Sequence, residues 1–181
     1  MRKFTLYSLF GILVLTSFRS INSDWIVIKP ENGNCSILMP SQPTAQEKII
    51  NSEIGELEMK LFLLQPANGT DENKLYSLNF ADYPAGTIHS DSTNLLKDFF
   101  DNSRDKSVEN VKGKLLSETI IKINGYPGRE SRIDFKNGLA IIKQRTYLLK
   151  NRIYILQVIT LTENSFNVSI NKFLDSFKLT Y

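Results

Sequence analysis

Few side chains in this sequence are suited to catalysis. His89 is the only histidine and Cys35 the only cysteine, so a Ser-His-acid triad or a zinc site would have to include one of them. We interpret His89 as a solvated residue ahead of a helix, and Cys35 as a small buried hydrophobic residue within an apolar run. The acidic loop at residues 68–73 lacks the spacing of an EF-hand. The sequence therefore predicts no catalytic residue, no cofactor and no metal site.

A basic segment between Arg129 and Arg152 is the strongest candidate for a binding site. It contains seven Lys or Arg residues and two acidic residues, whereas residues 24–75 carry four Lys and eight acidic residues. Such a segment can bind an anionic partner or dock a protein. Alternatively, its charges lie on the solvent side of strands and discourage association between sheet edges. The residues assigned to the candidate binding site are Tyr126, Arg129, Glu130, Arg132, Lys143 and Arg145.

Three consecutive strands must position these residues. Turn signals at Lys136-Asn137-Gly138 and Lys150-Asn151 separate three apolar runs between Asn124 and Leu161. Asn-Gly between apolar runs favours a tight hairpin, because both central residues of a type I′ turn need positive φ. We therefore predict a three-stranded antiparallel meander at the centre of a sheet.

The turn lengths also determine which residues lie opposite each other. Two-residue loops place Glu130 opposite Arg145, and Arg132 opposite Lys143. One face of the meander is then a core face, and the other is polar at one end and apolar at the other. The core face carries Ile133, Phe135, Ile142, Leu148, Ile153, Ile155 and Ile159. The second face carries Glu130, Arg132, Lys143, Arg145, Tyr147, Tyr154, Leu156 and Val158.

Two helices are expected to pack on this sheet. Ser90-Asp91-Ser92 offers N-caps for a helix whose apolar positions end near Phe100, so we expect its polar continuation to fray or to break. The last helix has an apolar stripe at i, i+4, i+7, i+8 and i+11, and it should cover the face that carries Tyr154. The stripe consists of Phe166, Ile170, Phe173, Leu174 and Phe177.

Further strands are predicted on both sides of the first helix, and residues 45–53 have no clear pattern. Pro40 and Pro43 follow the second strand, which indicates that the first two strands lie near a sheet edge. The fold class is therefore α+β, an antiparallel sheet of about six to seven strands with helices packed on it. These strands span residues 25–28, 35–39, 57–65, 74–82 and 114–123.

The first 23 residues have the form of a signal peptide. Arg2 and Lys3 precede an apolar run from Phe4 to Phe18, and small or polar residues follow. Cleavage is expected after Ser23, although an uncleaved membrane anchor is the alternative. The apolar run is shorter than the roughly 20 residues that a spanning helix needs, which favours cleavage. The organisation is then a signal peptide at 1–23 and one domain at 24–181.

Removal of this leader changes the charge of the protein. The whole chain has 22 Lys+Arg and 19 Asp+Glu, and the leader holds three basic residues and no acidic residue. The mature chain is therefore neutral, which argues against nucleic acid as a partner. The expected product is an exported protein, periplasmic or secreted, without a membrane span after cleavage. Its oligomeric state is not determined by the sequence.

Two segments carry a resemblance to a known group of proteins. One is Trp25 together with Cys-Ser-Ile-Leu-Met-Pro-Ser-Gln-Pro at 35–43, and the other is Asn-Gly-Tyr-Pro-Gly-Arg-Glu at 124–130. Together with Arg145-Thr-Tyr and Lys172-Phe-Leu-Asp-Ser-Phe-Lys, they resemble exported bacterial proteins of unknown function with a PsbP-like α/β sandwich fold. The resemblance covers nearly all of residues 24–181. It implies a fold whose members are mostly non-catalytic protein-binding modules, and it implies no active-site residues.

The leading functional hypothesis is an exported, non-enzymatic binding or scaffold domain of unknown partner, for which another envelope protein is the candidate. A small-ligand carrier with a pocket between sheet and helices is the second hypothesis. A hydrolase without a recognisable motif, using His89, is the third. Fold resemblance alone does not separate these classes, because one fold supports many functions.

Overall fold

The computed structural model describes residues 25–52 and 55–180. Its largest element is a seven-stranded antiparallel sheet. The predicted leader at 1–23 lies outside the described residues. The α+β class and the strand number are confirmed, and residues 44–52, which had no predicted structure, form an edge strand. The strands in spatial order are β3 (Thr44–Ser52), β4 (Gly55–Leu64), β5 (Asn73–Asp82), β9 (Arg152–Leu161), β8 (Ala140–Leu149), β7 (Tyr126–Phe135) and β6 (Lys114–Ile123).

The predicted register of the meander is confirmed. Glu130 pairs with Arg145, and Arg132 pairs with Lys143. The Lys150-Asn151 turn is a two-residue loop, because Leu149 pairs with Arg152 across it. Around Asn137-Gly138 the last paired residues are Phe135 and Ala140, so that loop is longer than predicted, although the register is the same.

The larger core lies on the face of the sheet that carries Tyr154, Leu156 and Val158, which are at most 1% exposed. Helix α2 (Val168–Asp175) covers this face, as predicted, and we call it the α2 face. Ile170, Phe173 and Leu174 of the helix, followed by Phe177, are buried against it. Because side chains alternate along a strand, the charged residues at 130, 132, 143 and 145 belong to this same face.

One residue of the predicted apolar stripe is not buried. Phe166 is 83% exposed and precedes the helix, because the side chain of Asn167 accepts a hydrogen bond from the Ile170 amide and so caps its N-terminus. A 3-10 helix, Thr162–Asn164, connects β9 to this cap. The prediction that Phe166 faces the core was therefore wrong.

Helix α1 (Thr93–Asn110) packs on the opposite face, which we call the α1 face. Phe100 is 1% exposed and clusters there with Ile88 and Leu148. The expected break after Phe100 does not occur. Ion pairs between charged side chains support the polar half of the helix, including Arg104 with Asp101 at 3.2 Å and Lys106 with Glu109 at 3.4 Å. No helix within residues 25–52 and 55–180 is long and apolar enough to cross a membrane.

A small second sheet closes the α2 face. Its strands are β1 (Ile26–Ile28), β2 (Cys35–Met39) and β10 (Lys178–Leu179), with β2 in the middle and antiparallel to both neighbours. The first two strands therefore belong to a separate sheet rather than to an edge of the large one. Cys35 is 2% exposed within this layer, which confirms its expected burial.

Candidate docking surface

Four of the six predicted site residues come together on the α2 face, beside helix α2. Glu130 and Arg132 lie on β7, and Lys143 and Arg145 lie on β8. The confirmed register brings the four side chains onto neighbouring positions of one face. They lie at the polar end of this face, as the alternation of side chains along the strands predicted. We call this group, with the adjoining residues 165–168, the docking surface.

Glu130 is the centre of an ion-pair network within this surface. Its carboxylate lies 2.6 Å from Arg145 Nε and 3.3 Å from Lys143 Nζ. Arg145 also contacts Asp175 of α2 at 2.8 Å. Burial opposes the charge of Arg145, but the hydrogen bonds to Glu130 and Asp175 outweigh it and raise the pKa of Arg145. These charged groups thus form ion pairs with one another, and the pairs link β7, β8 and α2.

Arg132 differs from its neighbours because it contacts no carboxylate among the residues that the structure describes. Its Nη2 donates to the Ser165 hydroxyl at 3.3 Å, and its Nε is buried without a hydrogen-bond partner. The guanidinium lies 4.4 Å from the centre of the Phe166 ring. Guanidinium groups bind carboxylates in a fork geometry, so Arg132 is the cation here that remains available to a partner.

Two exposed apolar side chains lie in the segment that contacts this cation. Phe166 is 83% exposed and Val168 is 81% exposed. Aromatic and arginine side chains are the types most enriched in the energetic centres of protein interfaces. The combination of an unpaired guanidinium with an exposed aromatic ring therefore resembles an interface more than a solvated strand face.

A partly buried hydrogen-bond chain holds the segment beside Phe166 in this position. Asn167, next in the chain, donates from Nδ2 to Asn73 Oδ1 at 2.8 Å. Asn73 donates in turn to the Tyr76 hydroxyl at 2.6 Å, and that hydroxyl contacts both carboxylate oxygens of Asp71 at 3.0 Å. Because the residue beside Phe166 is fixed to the sheet, the aromatic ring is presented by a rigid segment.

The remaining two predicted site residues lie elsewhere. Arg129 projects from the α1 face, where its guanidinium lies 5.2 Å from the Phe100 ring and its Nε lies 3.7 Å from Glu118. Alternation along β7 separates it from Glu130 and Arg132. Tyr126 lies at the start of β7 and lines a hollow of about 280 Å³ at the loop end of the molecule. The basic segment therefore does not form one continuous patch.

The side chains that were considered for catalysis are not assembled into a site. His89 is exposed, and its Nδ1 lies 3.3 Å from Asp91, beside a hollow of about 320 Å³. Cys35 is buried, and this burial raises the pKa of its thiol to about 12 despite the opposing effect of Arg152. Within the described part of the chain, no group of three or more His, Cys, Asp or Glu residues could hold a metal ion.

Sequence reasoning missed Phe166 and Val168 as part of the surface. Phe166 fits the helical spacing of Ile170 and Phe173, so it was assigned to the core. The signal that identifies it is Asn167, a preferred N-cap residue, because a residue before the cap does not share the buried stripe of the helix. Val168 is the first residue of α2 and lies outside that stripe.

Comparison with known proteins supports the fold. The solution structure of cyanobacterial PsbP from Synechocystis sp. PCC 6803 matches 91% of this chain and 98% of its own, with 11% identity and a TM-score of 0.55. The crystal structure of PA94, a protein of unknown function from Pseudomonas aeruginosa, matches 77% of this chain and 85% of its own, with 14% identity and a TM-score of 0.43. No family model and no curated protein matches the chain. The chain thus has a PsbP-like α+β sandwich fold, as its sequence predicted.

Proposed function

We propose that this chain is an exported, non-enzymatic binding or scaffold domain that docks an envelope protein through Arg132 and Phe166. The single observation that carries the proposal is the arrangement of these two residues. Arg132 is a cation of the docking surface that contacts no carboxylate within residues 25–52 and 55–180, and it stacks on a ring that is 83% exposed. The partner should therefore present a carboxylate next to an apolar side chain.

The alternative functions receive less support. A carrier was expected to have a pocket between sheet and helix, but that space contains Tyr76, Leu156 and Phe173, each 0% exposed. The hollows beside His89 and Tyr126 lie instead at the loop end and are open to solvent. Small-ligand sites are concave and enclose most of their ligand, so neither hollow favours a carrier. A hydrolase would use His89, and comparing substrate turnover by wild type and His89→Ala tests that alternative.

Site-specific crosslinking in the source cells tests the docking proposal. With p-benzoylphenylalanine at position 166, we expect a discrete adduct with one envelope protein. The same group at position 27 is the matched control, because Val27 is 58% exposed on the small sheet. Adding Arg132→Glu to the position-166 variant should reduce the adduct at least about tenfold, since charge reversal at a close interface pair costs more than 1.4 kcal/mol.

Two outcomes would contradict this proposal. One is an absence of adducts at position 166, and the other is an adduct that Arg132→Glu leaves unchanged. Because Arg132 has no ion-pair partner among the described side chains, Arg132→Glu should leave the folded structure intact, and its circular dichroism spectrum and melting temperature provide that control.

Export is a separate part of the proposal and rests on the leader at residues 1–23. Intact-mass analysis of the protein from the envelope fraction should give a chain that begins at Asp24. A protein that retains residues 1–23 and sediments with membranes would indicate the anchor instead.

A further inference from the structure

Strand β6 forms an open edge of the large sheet. Among the described strands it pairs only with β7, so one side of its backbone has no strand neighbour. Natural sheets usually protect such edges with charges, bulges or covering segments, because unpaired backbone groups form a template for another strand. On β6 a bulge occurs between Leu115 and Ser117, and the Asn124-Gly125 turn follows Ile123. The regular part of this edge is therefore limited to residues 117–123.

Ile120 lies at the middle of this regular segment and is 70% exposed. It lies three positions after Ser117 and three positions before Ile123. An antiparallel copy of the segment placed across a two-fold axis at Ile120 would thus align over its whole length. Such an arrangement is isologous, which is the geometry of most homodimers.

The charges of the segment are self-complementary about the same point. Glu118 lies two residues before Ile120, and Lys122 lies two residues after it. An antiparallel pair centred on Ile120 places each Glu118 opposite Lys122 of the second copy, on one face of the joined sheet. Lys122 is exposed and forms no ion pair among the described residues.

The carboxylate of Glu118 is not fully satisfied within its own chain. Its Oε2 lies 3.1 Å from Arg104 Nη1 and 3.7 Å from Arg129 Nε, whereas its buried Oε1 has no hydrogen-bond partner among the described atoms. The Glu118 side chain is 19% exposed, so a rotation of the carboxylate toward the edge would let an ammonium group of a second copy reach Oε1.

The opposite edge strand, β3, lacks this symmetry although it also exposes an isoleucine. Ile49 is 63% exposed. Pairing two copies about Ile49 places Glu47 opposite Asn51, and pairing about Lys48 places two lysines together. Glu47 is also paired with Lys60 of its own chain at 3.3 Å. The charge pattern thus distinguishes β6 from β3.

We infer that β6 pairs antiparallel with β6 of a second copy of this chain, centred on Ile120, and forms a two-fold dimer with a continuous sheet. The two-fold axis lies perpendicular to the sheet, so both docking surfaces face the same side. Pairing by one short strand buries less area than a standard stable interface, so the dimer should dissociate on dilution. This inference is independent of the docking proposal, because Arg132 and Phe166 do not lie on β6.

Disulfide trapping tests the register. The only native cysteine, Cys35, is 2% exposed and should not react. With Ile120→Cys, the two thiols of the dimer would lie opposite each other, within the distance that a disulfide bridges after small adjustment. We expect a covalent dimer after mild oxidation of Ile120→Cys, and at least tenfold less from the control Ile49→Cys.

Sedimentation velocity over a concentration series tests the association without a crosslink. Wild type and Ile49→Lys should shift from monomer to dimer, a doubling of mass, as concentration rises. Ile120→Lys and Lys122→Glu should stay monomeric, and unchanged melting temperatures would show that both remain folded. A wild type that stays monomeric up to its solubility limit would overturn the inference, as would equal trapping at positions 49 and 120.

Discussion

The two faces of the large sheet are built on different principles. Away from the docking surface, the α2 face is apolar and aromatic, and its residues Tyr76, Phe80 and Tyr154 lie within 6 Å of another ring. The α1 face carries a polar row that crosses four neighbouring strands in register and is buried except at the half-buried Gln157: Ser131, Gln144, Gln157 and Ser77. Gln144 and Ser77 are each only 1% exposed. Burial alone therefore does not distinguish the two faces.

Hydrogen bonds between its side chains offset the free-energy cost of burying the polar row. Gln157 Nε2 donates to Gln144 Oε1 at 2.6 Å, and Gln144 Nε2 donates to the Thr146 hydroxyl at 3.0 Å. Buried amides without such partners would destabilise the fold. A shift of one residue between strands would break these bonds and expose the apolar set of the other face. The comparison indicates that the α2 face supplies most of the stability, whereas the polar row specifies the register.

The largest expected effect comes from removing an aromatic ring from the α2 face. Phe173→Ala should lower the free energy of unfolding by about 3–5 kcal/mol, because Phe173 is 0% exposed and its loss leaves a cavity. Chemical denaturation followed by tryptophan fluorescence measures this change.

A matched control for that variant lies seven residues earlier in the chain. Phe166→Ala removes the same ring from an 83% exposed position, so it should change stability by less than about 0.5 kcal/mol. Similar losses in both variants would refute the assignment of Phe166 to the surface.

A smaller effect is expected from the polar row. Gln144→Leu leaves the amide of Gln157 without its acceptor, which should cost about 1–3 kcal/mol. The double variant Gln144→Leu, Gln157→Leu removes both partners and should be more stable than the sum of the two single changes implies. Strict additivity in urea denaturation would show that the two glutamines do not act as a pair.

The third effect concerns alkaline pH and tests the core on the α2 face. Burial raises the pKa of Cys35 to about 12, and it also raises the pKa values of Tyr76 and Tyr154 in the same core. The unfolded chain deprotonates its thiol near pH 8.5, whereas the folded chain retains the proton. Stability is therefore complete below about pH 8.5 and falls as pH rises toward 12, by up to about 1.4 kcal/mol per unit for each group.

The thiol and the tyrosines can be told apart by pH range. Cys35→Ala should flatten the stability profile between about pH 8.5 and 10, where tyrosines in the unfolded chain are still protonated. Above that range both proteins should lose stability. Denaturation curves at several pH values measure the slope, and an unchanged slope in Cys35→Ala would exclude the thiol as its source.

Much of the fold could be predicted from local signals. The turn signals at Asn137-Gly138 and Lys150-Asn151 predicted the meander and its register, because both loops are centred at the predicted positions, although the first is longer than two residues. The helix around Phe173 was recognisable from its apolar period. Strand β3 was less predictable. It lies at a sheet edge, and its residues Gln46, Glu47 and Lys48 form no buried face that would produce an apolar pattern in the sequence. The pairing of β10 with β2 joins residues more than 130 positions apart, and no local pattern encodes that contact.

The docking surface could be predicted only in part. Register and alternation brought Glu130, Arg132, Lys143 and Arg145 together, because both follow from the turns. The partners of these cations could not be predicted, because Arg145 pairs with Asp175 and Arg132 donates to Ser165. Both partners belong to a segment that is distant in sequence. The polarity of the α1 face was likewise hidden, since Gln144 and Gln157 look like solvent-facing residues until their strands are paired.

The small sheet determines how the fold should respond to mechanical force. Both β1 and β10 are hydrogen-bonded to β2, but the chain enters β1 beside Met39 and leaves β10 beside Cys35, at opposite ends of that strand. Tension applied to the two chain ends therefore acts along the strands, and the hydrogen bonds on each side of β2 are sheared together rather than unzipped one at a time. Because only three residue pairs join β1 to β2 and two join β10 to β2, the rupture of a domain pulled from both ends should begin in this short layer.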